Sequence, residues 1–208
     1  LLHAGVDVLY HSLLVGARRR GSSVDCVVVH CKEGRKEICG SFFIDATGDG
    51  DLAAQAGCEF TVGRPQDGLS QAMTLSFRLA NVDKGPLLAS GSLVKAREIV
   101  DAYFQEARRT GSLDYPYRDF VHFYDYPRPG VLHFNMTRIN QLSGLSSRDL
   151  SLAEVEGRRQ ASVLSDWLIR TVPHFKDAYL MKLASHVGVR ETRHVRGQYL
   201  MTHEDVSA

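Results

Sequence analysis

The feature that most constrains this chain is a change of texture between residues 42 and 57. The apolar run Phe42-Phe43-Ile44 enters the turn Asp45-Ala46-Thr47-Gly48-Asp49-Gly50-Asp51 and leaves it into Leu52-Ala53-Ala54-Gln55-Ala56-Gly57. An apolar run, a glycine turn and an alanine-rich stretch closed by glycine read as strand, loop and short helix. Asp49 and Asp51 are expected to cap that helix, where a carboxylate favours the free amides and the positive end of the dipole. A calcium loop starting at Asp45 fits poorly, because Thr47 and Ala56 occupy the positions where acids belong. Residues 48–53 also carry the GxGxxA spacing of a dinucleotide loop. Its acidic positions 49 and 51 would repel a pyrophosphate, and no second apolar strand ends in an acid at the distance a nicotinamide site asks for.

What precedes the turn reads as strands. Residues 6–17 alternate, residues 24–31 are a second apolar run, Gly34 sits at a turn, and residues 38–46 are the third and most continuously apolar run. The expected arrangement is an antiparallel meander feeding a buried strand. The opening Leu1–Ala4 reads as the last turn of a helix closed by Gly5. Cys26, Cys31, Cys39 and Cys58 form no CxxC pair. They are expected to be small buried hydrophobes in a reducing compartment, the cytoplasm, and no metal site is expected.

After a loop at residues 63–68 the pattern changes, and a domain boundary is placed between residues 62 and 63. Residues 71–82 alternate as a strand. Ser92–Arg109 is a helix, capped by Ser92 and ended by Gly111, with Leu93, Ala96, Val100, Tyr103, Phe104 and Ala107 on its inner face. Residues 120–126 and 131–139 are aromatic-rich strands joined by Pro127-Arg128-Pro129-Gly130 as a hairpin. Residues 151–170 form the second long helix, with Ser151 and Glu154 as a capping box, Leu152, Val155, Leu164, Trp167 and Leu168 as its inner stripe, and Pro173 as its stop. Residues 178–202 read as two extended segments around Gly188.

The 208 residues carry a net charge of +1, which gives no electrostatic case for nucleic acid or an anionic membrane. The triplet Arg18-Arg19-Arg20 reads as an exposed turn. No apolar run approaches the ~20 residues of a membrane-spanning helix. The chain starts without Met and ends in His-Glu-Asp-Val-Ser-Ala, so it is expected to be a piece of a longer protein.

Taken together, the turn at 45–53 reached through a meander and the later Gly188-Val189-Arg190-Glu191-Thr192-Arg193-His194-Val195-Arg196 resemble the FAD-dependent oxidoreductases built on two dinucleotide folds. Residues 71–83, 134–139 and 153–161 also resemble segments of that family, in the same order. His194 stands where the family usually has a second consecutive arginine. The resemblance implies an α/β fold: part of an FAD-binding Rossmann-like domain over 1–62, made of the meander and its following strand, and an α+β substrate domain over 63–208. It implies FAD as cofactor and a small-molecule substrate. It further implies that this is the central part of an enzyme, with a GxGxxG phosphate loop before it and a flavin-contacting segment after it.

By the same resemblance Ala46, Thr47, Gly48 and Asp49 would lie along the adenosine-pyrophosphate stretch, with Val15 offering its backbone to the adenine. Arg190 with Glu191 would order the loop beside the flavin. Arg193 and His194 are the candidate catalytic residues, because a guanidinium or imidazole suits a carboxylate or carbonyl substrate and would stabilise charge on a reduced ring. His133, Asn135 and Thr137 alternate on one strand and are candidate substrate contacts. Two further readings stay open at this stage: a non-catalytic binding or interaction module that needs a partner chain, and a nicotinamide-only oxidoreductase.

Overall fold

The computed structural model describes residues 2–89 and 91–207. In chain order the elements are β1 (Leu13–Arg20), β2 (Ser23–Cys31), β3 (Gly34–Cys39), α1 (Asp51–Gln55), β4 (Phe60–Val62), β5 (Phe77–Ala80), α2 (Lys84–Leu87), α3 (Leu93–Thr110), β6 (Phe123–Asp125), β7 (Leu132–Phe134), α4 (Ser147–Thr171), β8 (Tyr179–Leu183), β9 (Arg193–Val195) and α5 (His203–Ser207). The fold is thus a mixture of helices and antiparallel sheets. The chain forms two compact units, Leu1–Gly68 with Thr192–Ala208, and Leu69–Glu191. As compact units these differ from the expected 1–62 and 63–208: the first break falls six residues later, and the end of the chain returns to the first unit.

In the first unit β1, β2 and β3 pair in that order as the expected meander. Its register slips between Leu14 and Gly16, which leaves Val15 as the extra residue of a bulge. Strand β1 starts at Leu13 rather than near residue 6, while the turn Leu2–Ala4 is followed by Gly5 at φ 71°; Leu1 lies outside the described residues. The third apolar run differs most from expectation. Strand β3 ends at Cys39, and Phe42 and Ile44 are 94% and 90% exposed. An apolar run becomes a buried strand only where a neighbouring strand takes its amides; β2 takes that of Gly40, and among the described residues none pairs with 41–46.

The cysteine expectation is also corrected. Cys26 and Cys39 are direct partners across β2 and β3, and a disulfide joins them; Cys31 is free and buried, Cys58 free and exposed. Glu37 lies beside the two bonded sulfurs. Among the described residues no helix is long and apolar enough to cross a membrane.

The second unit is built on a four-stranded antiparallel sheet in the order β6-β7-β5-β8. Phe77 and Phe134, paired across β5 and β7, stack with ring centroids 5.0 Å apart. Against that row lie Ala96, Val100, Phe104 and Ala107 of α3 and Ala161, Leu164, Trp167 and Leu168 of α4, all in one buried cluster. Helix α3 follows its sequence signals: Ser92 accepts from the Lys95 amide and Gly111 closes the helix at φ 72°. Helix α4 starts earlier than expected. Ser146, not Ser151, is its cap and accepts from Asp149; its buried face runs through Ala153, Gly157, Gln160 and Leu164, and Leu152 and Val155 fall on the outside, 50% and 70% exposed.

Candidate functional site

The turn at residues 45–51 is organised by Asp45. One carboxylate oxygen accepts from the Thr47 amide at 3.1 Å and the Thr47 hydroxyl at 2.7 Å; the other accepts from the Ala53 amide at 2.9 Å. Thr47 in turn accepts from the Asp51 amide at 2.9 Å. Asp45 and Thr47 therefore satisfy the free amides at the start of α1. The residue at the cap position is Gly50, left-handed at φ 64° and without a side chain to cap. A Cβ there would stand 3.1 Å from Val195 Cγ2, so glycine is needed for close approach as well as for conformation. Burial works to raise the Asp45 pKa, but the hydrogen bonds from Ala53 and Thr47 outweigh it and hold the carboxyl below its ordinary value.

The expectation that Asp49 and Asp51 cap α1 is corrected by this geometry. Asp49 accepts from the Thr192 hydroxyl at 2.9 Å, and Asp51 pairs with Arg193 at 2.7 Å. The same Arg193 nitrogen donates to the Asp49 carbonyl at 2.8 Å, and the guanidinium lies over the Phe60 ring. Arg193 is a clamp on the turn, with its charge answered by Asp51. Strand β9 delivers it by pairing antiparallel with β4, which sets Arg193 opposite Val62 and His194 opposite Thr61. His194 is exposed on that strand.

Clamping changes what the turn can receive. Both acids that would repel a phosphate are engaged by groups from residues 192–193. Ala46, Thr47 and Gly48 are exposed, and a Cβ at Gly48 would meet nothing within 4 Å. Among the described residues the amides of Ala46, Gly48 and Asp49 have no partner in the protein. An exposed turn of small residues with unpaired N–H groups fits the anionic part of a dinucleotide. Val15, as the bulge residue, has a backbone outside the ladder.

The remaining residues belong to the second unit. Arg190 donates to the Ala72 carbonyl at 2.6 Å, and Glu191 accepts from the Gln71 amide at 2.7 Å. Strand register sets Tyr124, His133, Arg78 and Lys182 opposite one another in a single row, on the sheet face away from the stacked phenylalanines. Ser76, Arg78, His133 and Lys182 line a depression of ≈ 70 Å³ there. His133 is held below its ordinary pKa by burial and by Arg78, and its Nδ1 is buried without a partner, as is Asn135 Oδ1. His122, 2.8 Å from the Tyr124 hydroxyl, is also lowered, by burial, Arg97 and Arg118. Thr137 differs from its two expected companions. It is fully buried, and its hydroxyl accepts from the Leu75 amide at 2.7 Å and donates to the Leu75 carbonyl at 3.1 Å. It staples two chain segments, with its one proton given to the Leu75 carbonyl.

Sequence reasoning missed Asp45 as the centre of the turn. The signal was available, because Asp-x-Thr two residues apart is the local pattern by which a carboxylate binds nearby backbone.

The family model described as FAD dependent oxidoreductase matches residues 1–208, and the chain belongs to that family. Its cofactor is accordingly FAD, and its chemistry is redox chemistry. Searches of curated proteins and of solved structures returned no match.

Proposed function

We propose that the chain serves an oxidoreductase that moves a hydride between a small organic substrate and FAD, with residues 1–62 as part of a Rossmann-like FAD-binding domain and the second unit as its substrate domain. The observation that carries this reading is the turn at 45–51, whose acids are clamped aside while the amides of Ala46, Gly48 and Asp49 stay open. Those residues and Thr47 hold the adenosine-pyrophosphate part of FAD, and Val15 offers its backbone to the adenine. Phe42 and Ile44 supply the apolar side chains that the strand entering such a turn would bury. FAD supplies the redox centre when bound.

The protein's own groups place the substrate. His133 and Asn135 present unpartnered buried atoms on the open sheet face, and the lowered pKa of His133 keeps its ring neutral, able to accept or donate a hydrogen bond. Arg190 and Glu191 order residues 71–72 next to that face. Arg193 acts as a positioning residue through the turn, and His194, on the exposed strand beside it, is the catalytic candidate.

The test is the visible absorption of the full-length protein purified without added cofactor. A flavin spectrum, lost in Gly48→Glu, which fills the open space at the turn, is the expected result. A folded protein that stays colourless and takes up no added FAD would overturn the proposal.

A further inference from the structure

We propose that the second unit carries an anion subsite beside Thr74, in which Arg118, Arg138 and Arg190 take the carboxylate or phosphate head of a small organic acid. The argument begins with register. Met73 and Ile139 exchange backbone hydrogen bonds of 2.9 and 3.0 Å, and Thr74 and Gly188 exchange bonds of 3.1 and 2.7 Å, both antiparallel. Residues directly opposite share a face, and successive residues alternate. Arg138 therefore falls opposite Thr74 on one side, and Arg190, two positions beyond Gly188, falls on the same face. Arg190 donates to the Ala72 carbonyl at 2.6 Å, which fixes its guanidinium beside residue 72. Arg118 arrives from the segment between α3 and β6 and donates to the carbonyls of Met136 and Thr137 at 3.2 and 3.3 Å, next to Arg138.

These three charges are not neutralised. Arg118 and Arg190 bond only to carbonyls, which fix their position and leave the charge unanswered, and among the described residues none of the three forms an ion pair. Glu191, the carboxylate nearest in sequence to Arg190, alternates away and accepts from the Gln71 amide. The guanidinium groups feel one another: Arg118 is pushed below its ordinary pKa by burial and then by Arg138 and Arg190. Gathering like charges costs free energy that a bound oxyanion would offset.

A second observation points the same way. Thr74 is only 7% exposed, and its hydroxyl oxygen is buried with no hydrogen-bond partner. Buried hydroxyls in folded proteins are nearly always satisfied. A lone donor on the face that bears arginine forks suits an oxyanion, which accepts from all of them, and planar guanidinium groups match carboxylate and phosphate oxygens two at a time. That the anion is the substrate of the oxidoreductase rests on the function proposed above; that it binds does not.

The experiment is calorimetric titration of the full-length protein with succinate and, separately, with inorganic phosphate, at ionic strength held constant with sodium chloride. The expected result is saturable one-site binding of one probe or both. Succinate alone identifies a carboxylate head, phosphate alone a phosphate head. Arg138→Gln removes a charge that ties no backbone, and it should weaken binding about tenfold or more, with Arg138→Lys recovering part of the loss. Thr74→Val should weaken binding while leaving the thermal midpoint unchanged or raised, because it deletes an unsatisfied group. No saturable binding of either probe, or equal binding by wild type and Arg138→Gln, overturns the subsite. Flavin absorption recorded on the same samples separates the two ideas: a yellow protein that binds neither anion fails only the subsite, and one that binds an anion but stays colourless and takes up no added FAD fails only the FAD reading.

Discussion

The hydroxyl of Thr192 donates to the carboxylate of Asp49 at 2.9 Å, joining residues 143 positions apart. Thr192 is buried, and the next residue, Arg193, holds the same turn through Asp51 and the Asp49 carbonyl. A hydrogen bond to a charged acceptor is worth about 1.5–3 kcal/mol. Thr192→Val should therefore lower unfolding stability by an amount in that range and speed amide exchange at Gly50–Ala53, while Thr192→Ser should restore both. Denaturant titration and hydrogen exchange read the two effects. Unchanged exchange in the valine variant would show that the turn stands without its tie.

The bond between Cys26 and Cys39 closes a loop over a sequence separation of 13. Crosslinks over loops of that order stabilise by about 2–4 kcal/mol, chiefly by restricting the unfolded chain. The protein isolated without reductant should be lighter by two hydrogens than the reduced form in intact-mass spectra. Cys39→Ser should unfold at lower denaturant by an amount in that range, and added reductant should then have no further effect on it.

Legibility of the sequence followed the range of the forces. Helix α3 was readable because its cap, its apolar period and its glycine stop all lie within it or next to it. The start of α4 was not, because Ser146 with Asp149 and Ser151 with Glu154 are equivalent local signals. Other bonds separate them: Asp149 also accepts from the Ser143 amide six residues back, whereas Glu154 is drawn to the distant Val187 amide. The third apolar run misled for a related reason. Its composition is that of a strand, but strand formation needs a partner, and among the described residues none lies beside its later part, 41–46. In the turn, the bonds of Asp45 span two and eight residues and were within reach of pattern. The ties of Asp49 to Thr192 and of Arg190 to Ala72 cross more than a hundred residues, so no spacing rule could supply them.

Gly157 in the middle of α4 sets propensity against packing. Alanine is favoured over glycine in a helix by about 1 kcal/mol. Yet a Cβ at 157 would stand 2.8 Å from the Leu75 Cβ, with Ile139 Cδ1 at 3.4 Å. Leu75 cannot retreat easily, since its amide and carbonyl are both held by Thr137. Packing should win: Gly157→Ala is expected to destabilise by about 1–3 kcal/mol. Thermal unfolding decides the sign, and a raised midpoint would show that propensity prevailed.

Glu156 ends a chain of bonds that fastens α4 to the segment after β7. Its carboxylate takes two bonds from Arg159, at 2.8 and 2.7 Å, and one from Gln160 at 2.9 Å. Gln160, buried, accepts from the Arg138 amide at 2.8 Å and donates to the Arg138 carbonyl at 3.1 Å. The bonds from Arg159 are the main cause that pulls the Glu156 pKa from 4.5 down to about 2, against the opposing effect of burial. A depressed carboxyl binds its proton more readily in the unfolded chain. Its contribution is therefore complete above the ordinary value and disappears as the pH falls through the folded one. The carboxylate is partly solvated, so screening keeps the effect small. Glu156→Gln retains an acceptor for Gln160 but removes the charge. The stability gap between wild type and variant should be constant above pH 4.5 and close as the pH falls towards 2, the window set by the two values. Denaturant unfolding at roughly pH 7, 4 and 2.5 measures it. A gap independent of pH would mean that Glu156 holds α4 by shape alone, and that the ion pair with Arg159 contributes nothing to the fold.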